Sequence, residues 1–175
     1  MMEDPRVPDH VKALLGYNYD QPFWDSLRLE DVEPYLDTLD EDAAKRIGFT
    51  FKMNFYTRLA VKVLRGEQLQ DREISLLGVG KGDPLSVLGA VVNIQHELLR
   101  DLYEVSTPEL ERIRDAMLDA GALGVKISGA GMGGVLVAVC EKGKGEEVKK
   151  AALSAGAPRG WVVRPDEGAR VESLD

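Results

Sequence analysis

The sequence predicts an α+β domain, an antiparallel sheet of about four strands with helices packed over one face. Three observations carry this. Between Asp40 and Ala120 apolar residues recur at helical spacing; beyond Gly121 they switch to short β-branched runs; and one further helical stretch, "EEVKKAALSAG", interrupts those runs. At 175 residues the chain is long enough to bury a core of its own, and no internal repeat or low-complexity segment divides it.

Residues 1–37 hold prolines at 5, 8, 22 and 34 with little sustained period, and read as an irregular lead-in with one short helix near Leu29–Leu36. The domain proper is assigned to residues 38–175. Ile47, Phe51, Phe55, Leu59 and Val63 then recur every four residues, with Asp40 as N-cap and Gly66 as the stop, which defines a long amphipathic helix. A shorter helix over Gln70–Leu77 precedes the turn-rich "GVGKGDP". After Asp83-Pro84, the residues Leu85, Leu88, Val92, Leu99 and Leu102 mark a second long helix. In "VSTPEL", Ser106 and Glu109 have capping-box spacing and Pro108 sits in the first turn; Leu110, Ile113, Met117 and Ala120 follow as the buried stripe, and Gly121 ends the helix. Val125–Ser128, Val135–Cys140, Trp161–Arg164 and Ala169–Glu172 read as the four strands.

Composition is that of a soluble globular protein, 44% hydrophobic and 30% charged, and the net charge of −8 excludes a nucleic-acid partner because no basic surplus exists to displace counterions. The single cysteine, Cys140, precludes an internal disulfide and makes a cytoplasmic setting the expectation. Cys140 ends an apolar strand and reads as a small core residue. No stretch approaches the roughly 18 continuous apolar residues of a membrane helix, and the start shows no signal pattern. With His10 and His96 far apart and no second cysteine, no metal site is expected.

"SGAGMGGVLVAVCE", from Ser128 to Glu141, is the stretch richest in chemical meaning. Gly129, Gly131 and Gly134 satisfy G-x-G-x-x-G, but the β-branched "VLVAVC" follows where a dinucleotide fold needs a helix N-terminus. A phosphate loop of the Walker type is excluded because no Lys-Ser or Lys-Thr pair follows the glycines here or in "GVGKGD". Two readings remain. One is a hairpin whose glycines adopt positive φ. The other is a loop whose surplus glycines let a backbone or a ligand approach, with its N–H groups forming an anion-binding nest.

"GALGVKISGAGMGGVLVAV" resembles the third motif of the GHMP small-molecule kinases, the superfamily of galactokinase, homoserine, mevalonate and phosphomevalonate kinases. In that pattern a helix ends at Gly-Ala, a strand carries Gly-x-Lys/Arg, and a glycine turn leads into an apolar strand. Gly121, Ala122, Gly124, Lys126, Gly129, Gly131, Gly133 and Gly134 match it. "LGAVVNIQHELLRDLYEVSTPEL" is similar to the galactokinase stretch in which an Asn-x-x-His helix leads to LRD-YEVS-PEL. Lys126 and Ser128 are closer to mevalonate kinases, and Met132 stands where galactokinases tend to carry Phe. The resemblance is specific over Leu85–Glu141, looser beyond it and faint before Asp40.

The resemblance implies a ferredoxin-like sandwich, preceded by a long helical segment, that serves as the C-terminal half of an ATP-dependent kinase acting on a small hydroxylated metabolite, with a sugar such as galactose the expected class. It further implies that the serine-rich phosphate loop, the catalytic aspartate and the Mg2+-binding residues belong to an N-terminal catalytic domain, supplied in cis or in trans. ATP and Mg2+ are then expected only with that domain, and this chain, which carries no such serine-rich loop, is not expected to act alone or to contain catalytic residues. Its contribution would be the loop Ser128, Gly129, Ala130, Gly131, Met132, Gly133 and Gly134. Asn93, His96 and Arg100 share one helix face that either lines the substrate cleft or is simply solvated, and Lys126 either meets a phosphate or is simply exposed. An uncovered cleft face would favour homodimers. The rival reading is a non-catalytic α+β module that senses a metabolite or docks to a protein.

Overall fold

The computed structural model describes residues 1, 3–15, 26–80, 83–165 and 168. Helix α1 spans Asp9–Leu15 and α2 spans Leu29–Val32, running on into a 3₁₀ segment at Glu33–Thr38. The long α3 covers Glu41–Leu64, α4 Asp71–Leu76, α5 Pro84–Asp101 and α6 Pro108–Asp119. Strands β1 (Ala122–Ser128) and β2 (Val135–Cys140) follow, then α7 (Gly145–Ser154).

Side-chain oxygens and prolines start the main helices. The Asp40 carboxylate accepts the Ala43 N–H at 2.9 Å to open α3. Asp83 accepts from the Leu85 and Ser86 N–H groups, with Pro84 in the first turn, to open α5. The capping box expected of Ser106 and Glu109 does not form. Pro108 is the first helical residue, so Thr107 becomes the N-cap and accepts from Leu110 N–H, leaving the Ser106 hydroxyl for Glu111. Pro34 likewise accounts for the division of the Leu29–Leu36 helix into a short α turn and a 3₁₀ segment. Helix α1 has no counterpart in the irregular lead-in expected from the sequence.

Three apolar clusters hold these elements. Val7, Val11, Leu27 and Val32 of the lead-in pack with Phe51 of α3. Leu59, Leu77, Val87 and Val91 join α3, α4 and α5. Met117, Ala122, Val125, Val148 and Ala152 join α6, β1 and α7. Of the five residues in the α3 stripe, Ile47, Phe51, Leu59 and Val63 face these clusters, whereas Phe55 stands 38% exposed with its ring edge-on to Tyr56. Helix α5 meets β1 backbone to backbone. A Cβ added to Gly124 would lie 2.1 Å from Gly89 O, and one added to Gly89 would lie 2.7 Å from Leu123.

The sheet in the described residues has two antiparallel strands, with Ser128 opposite Val135, Lys126 opposite Val137 and an irregularity between Ala122 and Gly124. The sequence expectation of about four strands is therefore met by two. Trp161–Arg164 is not a strand: Val162 instead packs against Gly145, where a Cβ would come within 2.7 Å of it. Ala169–Glu172 lies outside the described residues. The α+β class stands, with α6 and α7 packed on the face of the hairpin that presents Val125, Leu136 and Ala138.

Candidate functional site

The β1–β2 turn is built from unusual backbone. Gly129, Gly131, Met132, Gly133 and Gly134 all have positive φ, at 100°, 83°, 57°, 144° and 90°. L-residues rarely adopt these angles, which explains most of the glycine content without any ligand. Space separates the glycines further. Around Gly129 and Gly133 nothing lies within 4 Å of an added Cβ, whereas at Gly131 a Cβ would lie 2.3 Å from the Val105 Cβ. The Met132 N–H donates to Val105 O at 2.8 Å. Both readings left open by the sequence thus have a place here. Gly131 accommodates the chain's own α5–α6 connector, while Gly129 and Gly133 leave open backbone facing solvent.

Beside the loop lies an uncovered apolar strip. Met132 is 69% exposed and Val135 56% exposed, and Val137 also points outward, because Leu136, Ala138 and Cys140 take the inward positions of β2. On β1 the residue opposite Val137 is Lys126, half-buried against α5. Its Nζ donates to Gln95 Oε1 at 3.1 Å; Gln95 Nε2 donates to Thr57 Oγ1 at 3.0 Å; and the Thr57 hydroxyl donates to Met53 O. This relay from β1 across α5 to α3 fixes the Lys126 stem. Burial lowers the ammonium pKa below the ordinary lysine value, since the amide partner brings no charge.

Asn93, His96 and Arg100 do share one face of α5, and that face meets α6 and β1. Asn93 Nδ2 donates to Leu123 O at 3.0 Å, and its Oδ1 accepts from Val125 N–H at 3.1 Å and from Arg114 Nη2 at 3.3 Å. His96 is 0% exposed, with Nε2 2.8 Å from Glu111 Oε1. Glu111 also accepts from the Ser106 hydroxyl. Arg100 forms a fork with Asp101 at 2.6 and 2.9 Å and lies 3.6 Å from Glu111. The polar atoms of Asn93 are consumed in joining two helices to a strand.

The charge states in this joint follow from its geometry. Burial is the largest influence on Glu111 and opposes its ionisation, but hydrogen bonds from Ser106 and His96 outweigh it and the carboxyl titrates below the ordinary glutamate value. An ionised Glu111 only accepts, so a neutral His96 carries its proton on Nε2. Nδ1 then faces the interior without a partner among the described residues. Burial lowers the His96 pKa below 6.5; the Glu111 bond and charge oppose this, and Arg114 and Arg100 reinforce it. A depressed histidine contributes stability that is complete above the unfolded value and lost as pH falls through the folded one. Stability measured by denaturant unfolding should therefore fall below pH 6.5, by up to about 1.4 kcal/mol per pH unit, and His96→Gln should flatten that slope.

Four residues of this region escaped sequence reasoning. Gly89 permits the close approach to Gly124. Arg114 is buried and donates from Nε to Val125 O at 3.3 Å. Glu111 gathers His96, Ser106 and Arg100. Val105 bears the glycine loop. Gly89 sits in an apolar run, where its spacing to Gly124 has no sequence period, and Arg114 follows Ile113 on a helix where arginine normally reads as solvated. Among the described residues no group of three or more His, Cys, Asp or Glu side chains is placed to hold a metal ion, and no helix is long and apolar enough to cross a membrane.

Comparison with known proteins gives the chain's relatives. Residues 81–158 match the family described as "GHMP kinases C terminal". The chain is 33% identical over 148 residues to a galactokinase of Streptomyces coelicolor, covering 81% of this chain and 36% of that protein. It is 34% identical over 97 residues to a galactokinase of Thermococcus kodakarensis, covering 52% and 27%. To a mevalonate kinase of Thermococcus onnurineus it is 39% identical over 87 residues, covering 50% and 25%. The matched region thus spans only about a quarter to a third of each relative's length.

Proposed function

Because residues 81–158 belong to the C-terminal domain family of the GHMP kinases, we propose that this chain supplies one wall of an ATP-dependent kinase site for a small hydroxylated metabolite, of the sugar class. The observation that carries the proposal is the loop at Gly129–Gly134, with its left-handed backbone, its open space at Gly129 and Gly133 and its fixed tie to Val105. Consecutive N–H groups in such a loop suit the oxygens of a phosphate. Phosphoryl transfer depends on positioning and charge neutralisation, and a wall of backbone donors provides part of both.

In this reading an N-terminal catalytic domain closes over the loop and over the strip formed by Met132, Val135 and Val137, and brings the Mg2+ ligands with it. Nucleotide-bound Mg2+ would neutralise charge on the phosphates. Within this chain, Ser128 to Gly134 would line the phosphate side of the cleft, and Lys126, oriented by Gln95, would add a positive charge behind it. Asn93 and His96 would act through the joint that seats β1, and Arg100 through its contact with Glu111. The match covering most of this chain is to a galactokinase, which supports a sugar, while relatives named mevalonate kinase make mevalonate the competing substrate.

The test is a chimera in which this chain replaces the matching part of the Streptomyces coelicolor galactokinase, assayed with ATP, Mg2+ and either galactose or mevalonate. Galactose phosphorylation is expected, with Gly133→Val lowering kcat on the order of a hundredfold by displacing the loop. Gly133 is the better probe than Gly131, because a side chain at Gly131 would also strike Val105. A folded chimera that phosphorylates mevalonate alone would overturn the sugar assignment, and one that phosphorylates neither would overturn the kinase reading.

A further inference from the structure

The connector between α5 and α6, Leu102–Thr107, is tied down more densely than its lack of regular structure suggests. From within α5, Leu98 O accepts the Tyr103 N–H and Leu99 O accepts the Val105 N–H, each at 3.0 Å. From α3, Arg46 donates to Leu102 O, reaches Glu104 Oε2 at 3.2 Å and places its guanidinium 5.0 Å from the Tyr103 ring centroid. Lys45 meets Glu104 Oε1 at 3.2 Å, and Phe49 packs its ring 4.7 Å from that of Tyr103. From α6, Glu111 holds the Ser106 hydroxyl.

Glu104 adopts φ 59°, a left-handed conformation that a residue with a Cβ takes only when its surroundings hold it there. The next residue is Val105, whose carbonyl receives the Met132 N–H and whose side chain abuts Gly131. The left-handed turn at Glu104 therefore aims the Val105 carbonyl at the loop. Single exposed ion pairs do little to hold such a turn, but here the charge pairs, the guanidinium bond to a carbonyl and the ring contacts converge on three consecutive residues.

We propose that this connector is a shelf that sets the conformation of the glycine loop, and that Arg46 and Glu104 are positioning residues acting through Val105. The loop is thereby coupled to α3, an element that contributes no residue to it. The bearing of this on phosphate geometry rests on the kinase reading above; the shelf itself does not.

The experiment is amide hydrogen exchange of the full chain, followed by NMR without nucleotide, with Met132 N–H as the reporter and the β1 amides as internal reference. Arg46→Ala is expected to speed Met132 exchange by about tenfold or more while leaving β1 exchange unchanged, the signature of a local opening. Arg46→Lys, which keeps the charge near Glu104 but cannot also donate to Leu102 O from a second nitrogen, should fall between. If Arg46→Ala does not fold, Glu104→Gln decides, since it preserves shape and removes only the ion pairs. Unchanged Met132 exchange, or Met132 and β1 rising together, would overturn the shelf. Such a result leaves the kinase reading standing, and an inactive chimera would leave the shelf standing.

Discussion

Gly124→Ala should cost this protein about 3 kcal/mol or more, because the added methyl has no direction in which to yield. It would lie 2.1 Å from Gly89 O, a helix carbonyl fixed by its own hydrogen bond, so the whole of α5 must lift from β1. For a chain of this size, that corresponds to a fall of roughly 6–12 °C in the thermal midpoint. Gly89→Ala is the mirror experiment. Alanine is better than glycine in a helix interior by about 1 kcal/mol, yet its Cβ would meet Leu123 at 2.7 Å and the variant should still be destabilised. Lifting the helix once relieves both collisions, so the double variant should cost less than the sum of the singles. Additive losses in calorimetry would show that the two glycines are not one contact.

Asn93→Ala should be nearly as damaging, for the opposite reason: it removes groups rather than adding them. The variant would leave Leu123 O and Val125 N–H without partners at a packed joint and would remove an acceptor from Arg114. Each stranded group costs about 1–3 kcal/mol, so a total near 3 kcal/mol is expected in urea unfolding. Asn93→Asp separates the contributions. A carboxylate still accepts from Val125 and Arg114 but cannot donate to Leu123 O, and an intermediate loss is expected. An alanine variant within about 0.5 kcal/mol of the parent, the range of an ordinary surface substitution, would return Asn93 to the solvated face.

The sequence made the helices legible because their signals are local. The Asp40 cap, the Asp83-Pro84 start and the apolar period of α5 each lie within a few residues of what they determine. The glycine turn between two β-branched strands was legible for the same reason, as was the common face of Asn93, His96 and Arg100. What that face packs against was not legible, since Leu123, Val125 and Glu111 approach it through tertiary structure alone. The capping box at Ser106 misled because Pro108 moved the helix start by one residue. Trp161–Arg164 misled because β-branched residues record only a capacity for pairing, and in the structure Val162 rests on the Gly145 turn instead.

Val125 has a consequence for how copies of the hairpin could associate. Its N–H goes to Asn93 and its C=O to Arg114, so both of its backbone groups point away from β2 and are already occupied. An exposed strand edge is a template for indefinite growth only if a sheet offers two of them. Here two side chains plug the outer edge of β1 at its middle, and among the described residues the other edge of the sheet belongs to β2. A strand arriving at the outer edge of β1 would find neither backbone group of Val125 free, so growth of the sheet in that direction is blocked at its middle.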